Sequence, residues 1–356
     1  MGRTFCAITT ILLLAGVLSG FVETPDNTPY VFPKLLFFPA MPTNANNPVT
    51  VEGAELGRYL FYDPILSDDS TMSCGSCHKQ EYAFSDAPNP FSKGKNGKLT
   101  TRNTMPLFNL AWCNEYFWDG RATSLENQVF EPVRSHDEMN LSWVAAEARI
   151  NSSEFYHKKF RLAFGETKID SVMISKAIAQ FLRTLISHTS RYDSLQMGLI
   201  TFTKDEADGF VLVSDMTKGD CLHCHTSDAD GLGTTNKFSN NGLDAFTDVH
   251  QCKDIGRGKI TGATRDYGHF RIPSFRNLFL TAPYMHDGRF KTVEEVLNFY
   301  NDSVKMNATI DSKMGTAPHG GAHLTAEEKR KVIAFLKTMT DYSFAKNPDF
   351  SNPYKR

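Results

Sequence analysis

Two short motifs in the sequence combine residue types that can carry out redox chemistry. Residues 74–78 read Cys-Gly-Ser-Cys-His and residues 221–225 read Cys-Leu-His-Cys-His, so both have the form C-x-x-C-H. The two thiols, one helical turn apart, can add to the two vinyl groups of one porphyrin, and the adjacent histidine can then bind its iron. A zinc knuckle or a redox dithiol would leave each histidine unexplained. The predicted haem c residues are Cys74, Cys77 and His78 for the first group and Cys221, Cys224 and His225 for the second.

Composition places the chain among ordinary globular proteins. It has 356 residues, of which 41% are apolar and 22% are charged, and this length favours two domains. The net charge of −2 gives no reason to expect a nucleic-acid partner. Cys113 and Cys252 remain after haem attachment, and they could form a disulfide or stay as two buried free thiols.

The first 22 residues predict export. A single early arginine, Arg3, precedes an apolar run from residue 4 to about 22 that also contains Cys6, which is typical of a secretory signal peptide. An uncleaved membrane tether is the alternative, because the run is nearly long enough to span a bilayer. Haem attachment through thioethers takes place outside the cytoplasm, so both observations favour a periplasmic protein.

An internal repeat organises the rest of the sequence. The matching pairs are Gly57–Asp63 with Gly209–Asp215, the two C-x-x-C-H motifs, Phe117–Arg121 with Met285–Arg289, and Ile178–Leu185 with Val332–Met339. Each half therefore reads as a helix, a haem motif, a long loop, an Asp-Gly-Arg turn, a helix and a closing amphipathic helix. Strand signals are weak throughout. The prediction is an all-α fold of two cytochrome c-like haem domains related by this repeat.

The segment boundaries follow from composition and from the repeat. Residues 23–48 are rich in Pro, Asn and Thr, which predicts a loop or an extended arm rather than a packed element, and the first helix is expected over residues 51–62. Segment 141–170 has no counterpart in the second half and is interpreted as inserted helix. The remaining predicted segments are a first haem domain at 49–200, a second haem domain at 201–342 and a C-terminal tail at 343–356.

The repeat also allows the position of a possible sixth iron ligand to be compared between the two haem groups. Pro132 lies eleven residues after Arg121, and Tyr300 lies eleven residues after Arg289. Proline offers no donor atom, so the first iron would keep an open position, whereas a tyrosine can bind haem iron through its phenolate. Two alternatives for the second haem stay open, namely that Tyr300 is a buried hydrogen-bonded aromatic residue and that Met306 is the ligand.

An open ferric haem binds small molecules such as peroxide. No histidine lies between His78 and Pro132, and Met105 is the only methionine there. Glu138, six residues after Pro132, is a candidate base for moving the peroxide proton, and Gln128 lies one helical turn before Pro132. The competing interpretation of Glu138 is a solvated surface carboxylate. Trp118 is either a core residue or an aromatic side chain that carries electrons between the haem groups.

Further motifs make the sequence resemble the bacterial di-haem cytochrome c peroxidase family, which includes the MauG-type enzymes. The resemblance runs from Glu52 to Tyr342. It is carried by the two C-x-x-C-H motifs, Arg102–Asn109, Phe117–Ala122, Glu138-Met139, Pro273–Asn277 and Leu280–Gly288.

The resemblance implies roles for particular residues. The haem of His78 would be the peroxidatic one, and the haem of His225 would receive electrons from a small donor protein, a cytochrome c or a cupredoxin. Trp118 matches the tryptophan between the haem groups, and Gln128 with Glu138 matches the distal pair. The implied ligands of one calcium ion are Asn103, through its side chain, and Thr281 and Pro283, through their carbonyl groups.

Two departures from the typical peroxidase pattern affect the expected mechanism. Typical members carry a histidine in the loop after the first motif that leaves the iron when the other haem is reduced, whereas residues 79–101 contain none. We therefore expect no reductive activation. Typical members also have a methionine at the position of Tyr300, where MauG-type enzymes have a tyrosine, and this favours Tyr300 as the second ligand.

These observations favour a di-haem peroxidase that reduces hydrogen peroxide to water with electrons from a small redox protein. One alternative is a MauG-like enzyme that oxidises Trp or Tyr side chains of a partner protein. The other is a non-catalytic electron carrier, for which Glu138 would be dispensable. The sequence leaves a homodimer open.

Overall fold

The computed structural model describes residues 27–165, 168–226 and 231–355. The predicted signal peptide, with Cys6, lies outside these residues. Within them the chain forms eleven α-helices and one two-stranded antiparallel sheet. None of the described helices has the length and apolar character needed to cross a bilayer.

The helices fall into two groups along the chain. The first group is α1 (Val51–Tyr62), α2 (Cys74–Cys77), α3 (Leu125–Arg134), α4 (Trp143–Asn151), α5 (Glu154–Phe164) and α6 (Ser171–Thr184). A short helix, α7 (Arg191–Gln196), follows, and the second group is α8 (Lys204–Ser214), α9 (Gly258–Thr261), α10 (Val293–Asp302) and α11 (Ala326–Thr338). The strands β1 (Phe238–Ser239) and β2 (Phe270–Arg271) have two residues each, so the expectation of a mostly helical fold is confirmed.

Local sequence explains where the main helices begin. The Thr50 hydroxyl accepts a hydrogen bond from the Gly53 amide at the start of α1, as an N-cap residue does. At α11 the N-cap Thr325 and Glu328 form a capping box. Helix α6 buries its apolar positions, including Ile174, Ile178 and Phe181, as the helical spacing predicted. The predicted start and end of the first helix are confirmed, and segment 141–170 holds two helices, α4 and α5.

Each half contains one pair of closely packed helices, α1 with α6 and α8 with α11. A methyl group on Gly57 would overlap the carbonyl oxygen of Ala177, and one on Gly209 would overlap that of Lys331. In both cases the nearest side-chain atom is the β-carbon of a phenylalanine, Phe181 or Phe335, at 2.9 Å. A glycine is therefore needed at both crossings because the backbones approach without room for a side chain.

The two Asp-Gly-Arg turns have the same local backbone. Phe117 and Met285, both just before the turn, have positive φ values of 68° and 74°. An antiparallel bridge closes each turn, from Tyr116 to Ala122 in the first half and from residue 284 to residue 290 in the second. The helices that follow, α3 and α10, have ten residues each. Pro132 and Tyr300 are each the eighth residue of their helix, as the comparison of the halves expected.

The N-terminal arm differs from the expectation. Its described part has no helix and lacks regular strands, as predicted, but it is packed rather than free. Phe32, Leu35, Phe38 and Met41 pack against a small core of Trp112, Ile186 and Leu232. The Trp112 indole also donates to the carbonyl of Pro39 at 3.0 Å. The prediction of an unpacked arm was wrong because its few aromatic and aliphatic residues find partners far away in the sequence.

The tail after α11 returns to the first half of the chain. The Phe344 ring packs on the Phe84 ring at 5.8 Å, and the Arg58 guanidinium donates to the carbonyl of Ser351 at 2.6 Å. Tyr62 donates its hydroxyl to the carbonyl of Phe350 at 2.8 Å. The last residues thus cover the helix that precedes the first haem motif.

Gly57→Ala tests the helix crossing. Alanine favours an isolated helix by about 1 kcal/mol over glycine, but here the added methyl group has no space. We expect the free energy of unfolding to fall by about 1–3 kcal/mol, as in other overpacked cores, in urea denaturation followed by circular dichroism. Gly315→Ala is the control, because nothing lies within 4 Å of the added atom. Equal stability of the two variants would contradict the proposed contact.

Candidate active site

The first C-x-x-C-H motif opens onto a cavity of about 910 Å³. This volume lies in the range of pockets that enclose a large cofactor. The predicted residues that line it are Cys74, Cys77, His78, Asn103, Trp118, Gln128, Pro132 and Glu138. The structure therefore brings together the attachment residues, the distal pair and the tryptophan that sequence analysis selected. Met105 lines the cavity as well.

The imidazole of His78 is held in one orientation. Its Nδ1 lies 2.6 Å from the carbonyl oxygen of Phe84, which fixes the proton on Nδ1 and leaves Nε2 to bind a metal. Phe84 is fully buried and has a positive φ of 60°, which directs its carbonyl group towards the ring. Burial also lowers the pKa of His78, which favours the neutral imidazole that coordinates iron.

Glu138 lies in the turn that follows α3, and its backbone is fixed on both sides. The Glu138 amide donates to the carbonyl of Ser135 at 3.0 Å, and its own carbonyl accepts from the Lys95 amide at 3.0 Å. Gly94 packs so closely on this turn that a side chain there would overlap the backbone of Asp137. The loop at residues 92–100 therefore sets the position of the carboxyl group relative to α3.

Burial raises the pKa of the Glu138 carboxyl group above its ordinary value, although Arg121 and the side chain of Ser135 act in the opposite direction. The Arg121 guanidinium in turn lies 3.5 Å from the centre of the Phe117 ring and 3.1 Å from Asp119. Glu138 is thus a partly desolvated carboxyl group in a cavity, and not the solvated surface residue of the alternative interpretation.

Trp118 lies where the two halves of the chain meet. Its indole nitrogen donates to the carbonyl of Asn103 at 2.8 Å, and its own carbonyl accepts from the Arg271 amide at 2.9 Å. The Arg102 guanidinium joins the halves beside it, through Asp119 at 2.7 Å and Asp254 at 2.7 Å. Sequence analysis missed Asp254 and Arg271, which also line the cavity, because no motif marks them.

The second motif has a different environment. The ring of His225 stacks on that of Phe275 at 4.0 Å and 10°. The oxygen of Tyr300 accepts a hydrogen bond from the Asn241 amide at 2.9 Å. Burial raises the pKa of Tyr300 to about 12, and the nearby thiols of Cys224 and Cys221 add to the shift, whereas the Asn241 donor favours the phenolate. Tyr300 is therefore close to the second attachment site.

Other residues that the sequence singled out do not line the first cavity. Met306 is 54% exposed, and its side chain is directed largely to solvent. His223 is exposed, with Nδ1 2.9 Å from a carboxylate oxygen of Asp220. Cys113 and Cys252 are free thiols rather than a disulfide pair. The Cys113 sulfur lies 3.2 Å from the Arg271 guanidinium.

The predicted calcium residues lie on two neighbouring loops. The Asn103 amide donates to the carbonyl of His286 at 2.7 Å, which ties its loop to the one that contains Thr281 and Pro283. The Asn103 side chain donates to the carbonyl of Pro90 at 3.1 Å. No cluster of three or more His, Cys, Asp or Glu residues suited to a metal occurs in the described residues.

The mostly helical fold and the two C-x-x-C-H motifs, the first of which lines a cavity of about 910 Å³, indicate the class of di-haem c-type proteins. Comparison with known proteins gives the family. The family model for di-haem cytochrome c peroxidase matches residues 51–199. The methylamine utilization protein MauG of Methylorubrum extorquens is 33% identical over 304 residues, which is 84% of this chain and 81% of that protein. The cytochrome c551 peroxidase of Nitrosomonas europaea is 30% identical over 319 residues, 88% of this chain and 86% of that protein.

Solved structures agree with the sequence relatives. A MauG-like protein associated with microbial copper homeostasis superposes with a TM-score of 0.82 at 33% identity, over 92% of this chain and 100% of that one. The diheme peroxidase BthA from Burkholderia thailandensis shares the fold, with a TM-score of 0.73 at 21% identity over 92% of this chain and 98% of that one. The chain belongs to the di-haem cytochrome c peroxidase family, which confirms the resemblance and implies two haem c cofactors.

Proposed function

We propose that the protein is a peroxidase that reduces hydrogen peroxide to water with electrons from a small redox protein, a cytochrome c or a cupredoxin. The observation that carries the proposal is the desolvated Glu138 carboxyl group in the cavity of the first motif. Haem held there by Cys74, Cys77 and His78 would supply an iron that binds peroxide and accepts electrons.

The proposed task of Glu138 is proton transfer. As a carboxylate it would take one proton from hydrogen peroxide and return it to the oxygen that leaves as water. Gln128, on the same cavity wall, can hydrogen-bond to the peroxide and orient it. A raised pKa makes Glu138 a better proton carrier near neutral pH than an ordinary glutamate.

Electrons are proposed to enter at the second haem, held by Cys221, Cys224 and His225. Trp118 supports this route because it lies at the contact between the halves and lines the first cavity. Residues 79–101 contain no histidine and position 132 is a proline, so the first site is proposed to be open in the ferric protein. Reductive activation would then be unnecessary.

The environment of Tyr300 favours the second candidate function, a MauG-like oxidation of Trp or Tyr side chains in a partner protein. A partly buried tyrosine near the second motif is the ligand pattern expected of MauG-type enzymes, and two relatives that carry the MauG name are 31% and 33% identical to this chain. The remaining alternative, a carrier without catalysis, gives no reason for a buried carboxyl group in the cavity.

The proposed organisation comprises a peroxidatic domain at 49–200 and an electron-transfer domain at 201–342, related by the internal repeat. Its support is the equivalent glycine contacts of Gly57 and Gly209 and the matching turns. The proposed location is the periplasm, reached through the signal peptide at 1–22, with a membrane tether as the alternative. A homodimer also remains a proposal.

Glu138→Gln tests the peroxidase proposal. The glutamine cannot accept the proton, so the second-order rate constant for peroxide should fall by about a hundredfold or more in stopped-flow mixing of the ferric protein. The unaltered protein should react faster as pH rises through the pKa of Glu138, which lies above the ordinary glutamate value, because the carboxylate is the base. The variant should lose this pH dependence.

Asp137→Asn is the matched control for that experiment, since it removes the adjacent exposed carboxylate and should leave the rate within about threefold. An unchanged rate in Glu138→Gln would contradict the proposed proton transfer and would favour the carrier. A reaction that occurs only after reduction of one haem would contradict the open first site.

Tyr300→Phe tests the proposed second ligand. Phenylalanine has no oxygen donor, so the low-spin ferric signal of the second haem should disappear from the electron paramagnetic resonance spectrum. Met306→Leu is the control and should leave the spectrum unchanged, because this side chain is 54% exposed. The assignment is wrong if Tyr300→Phe retains the original low-spin signal.

The proposed calcium site is tested through thermal stability. An ion that binds only the folded protein stabilises it by about 2.7 kcal/mol at a hundred times its dissociation constant, so Ca²⁺ should raise the Tm of chelator-treated protein. Asn103→Ala should reduce this rise, and Asn46→Ala, at an exposed position of the arm, should not. A Tm that does not respond to Ca²⁺ would exclude the site.

A further inference from the structure

Two tyrosines share one carboxylate at the C-terminal end of α1. The Tyr156 hydroxyl donates to Oδ2 of Asp63 at 2.6 Å, and the Tyr354 hydroxyl donates to the same atom at 2.9 Å. The two hydroxyl oxygens are 3.2 Å apart. Tyr156 comes from α5, Asp63 follows α1, and Tyr354 belongs to the tail, so the cluster joins three separate segments.

A carboxylate partner distinguishes these two phenols from Tyr62 and Tyr284. Tyr62 and Tyr284 donate to backbone carbonyl groups, at 2.8 Å and 3.0 Å, and a carbonyl oxygen cannot take up a proton. Asp63 can do so. Burial and the hydrogen bond to Asp63 raise the pKa of Tyr156, so this phenol stays protonated in the resting protein. Loss of an electron makes a phenol strongly acidic, and its proton would then pass to Asp63.

Aromatic rings connect this cluster to the first haem motif. A β-carbon on Gly75, between the two attachment cysteines, would lie 2.6 Å from the Tyr62 ring, so that ring rests against the motif. Tyr59 lies one turn earlier on α1, and residues three apart on a helix are neighbours. The Tyr59 ring meets the Tyr354 ring edge-on, with the centroids 5.4 Å apart. The contact of the Tyr62 ring with the motif and the Tyr59–Tyr354 ring pair are short steps for electron transfer, and Tyr62 and Tyr59 are linked as neighbours on α1.

The far end of this path reaches the surface. Tyr354 is 48% exposed, whereas Tyr156 is 2% exposed. Phe155, beside Tyr59 at 5.1 Å between ring centroids, is 44% exposed. Together Tyr354, Tyr59 and Phe155 form an aromatic patch that a small phenolic molecule could contact through its ring.

We propose that Tyr354, with Asp63 as its proton acceptor, is a one-electron oxidation site at which small phenols donate electrons to the peroxidatic half. This inference rests on the proposed peroxidase function, and peroxide is the oxidant. One electron leaves Tyr354 along the aromatic path, its proton passes to Asp63, and a tyrosyl radical remains. A phenol in solution restores the Tyr354 hydroxyl by giving up one electron and one proton, and Asp63 releases its proton.

Two such cycles balance the reduction of one hydrogen peroxide. They deliver the two electrons and two protons that convert one hydrogen peroxide into two water molecules, and two phenoxyl radicals are released. The site is separate from the proposed entry of electrons at the second haem, so the protein would accept both a redox protein and a small molecule as donors.

Spin trapping locates the radical independently of turnover. The holoprotein is mixed with one equivalent of hydrogen peroxide and a nitrone trap, digested and analysed by mass spectrometry. We expect the adduct on Tyr354, its loss in Tyr354→Phe, and a yield about tenfold lower in Asp63→Asn, which keeps the tyrosine but removes the base. Tyr342→Phe, at a position after α11 that is 58% exposed, is the control and should keep the adduct.

Steady-state oxidation of guaiacol and of reduced cytochrome c separates this inference from the proposed function. Tyr354→Phe should slow guaiacol oxidation about tenfold or more and leave cytochrome c oxidation unchanged. An adduct elsewhere, or equal loss of both activities, would overturn the tyrosine site while the peroxidase proposal stood. Absence of any peroxide consumption by the unaltered holoprotein would instead overturn the proposed function. Circular dichroism and the haem absorbance of each variant show that the fold is retained.

Discussion

The hydrogen bond between His78 and the carbonyl group of Phe84 is the constraint on which the first site depends. It requires two successive left-handed residues, Ala83 and Phe84, and a loop closed by an ion pair of 2.7 Å between Lys79 and Asp86. Phe84 can hold that conformation because its ring is buried against Phe344 of the tail. The orientation of the iron ligand therefore depends on packing by a segment more than 250 residues later in the sequence.

The pKa of Glu138, the other residue in the proposed chemistry, depends on opposing effects. Glu138 is buried enough for its pKa to rise, yet Arg121 and Ser135 keep the shift from growing further. Asp119 in turn holds Arg121 and also pairs with Arg102, which reaches across to Asp254. The charge state of the proposed proton carrier is thus linked to the ion pairs that join the two halves of the chain. A change in these ion pairs would therefore alter the pKa of Glu138 through charge rather than through direct contact.

The sequence was sufficient for features that are local or periodic. The C-x-x-C-H spacing marked both attachment sites, the capped amphipathic runs marked α1 and α6, and the repeat placed Pro132 and Tyr300 at equivalent helix positions. It was insufficient for contacts between distant segments. Nothing near Asp254 or Tyr354 indicates that one meets Arg102 and the other meets Asp63, because such pairs arise only when the whole chain is packed. The packed arm was missed for the same reason.

The arm and the tail also set the order in which the native structure can be completed. The Phe37 carbonyl accepts a hydrogen bond from the amide of Gly231, and Phe38 lies against the same glycine. The arm can therefore pack only when this residue, much later in the sequence, is in place. The hydrogen bond from Arg58 to the carbonyl of Ser351 joins residues that are even further apart in the sequence. Closing such long loops is slow compared with forming single helices. Packing of the arm and the tail therefore needs residues from distant parts of the chain, so the chain stays open around both cysteine pairs until most of it is available for folding.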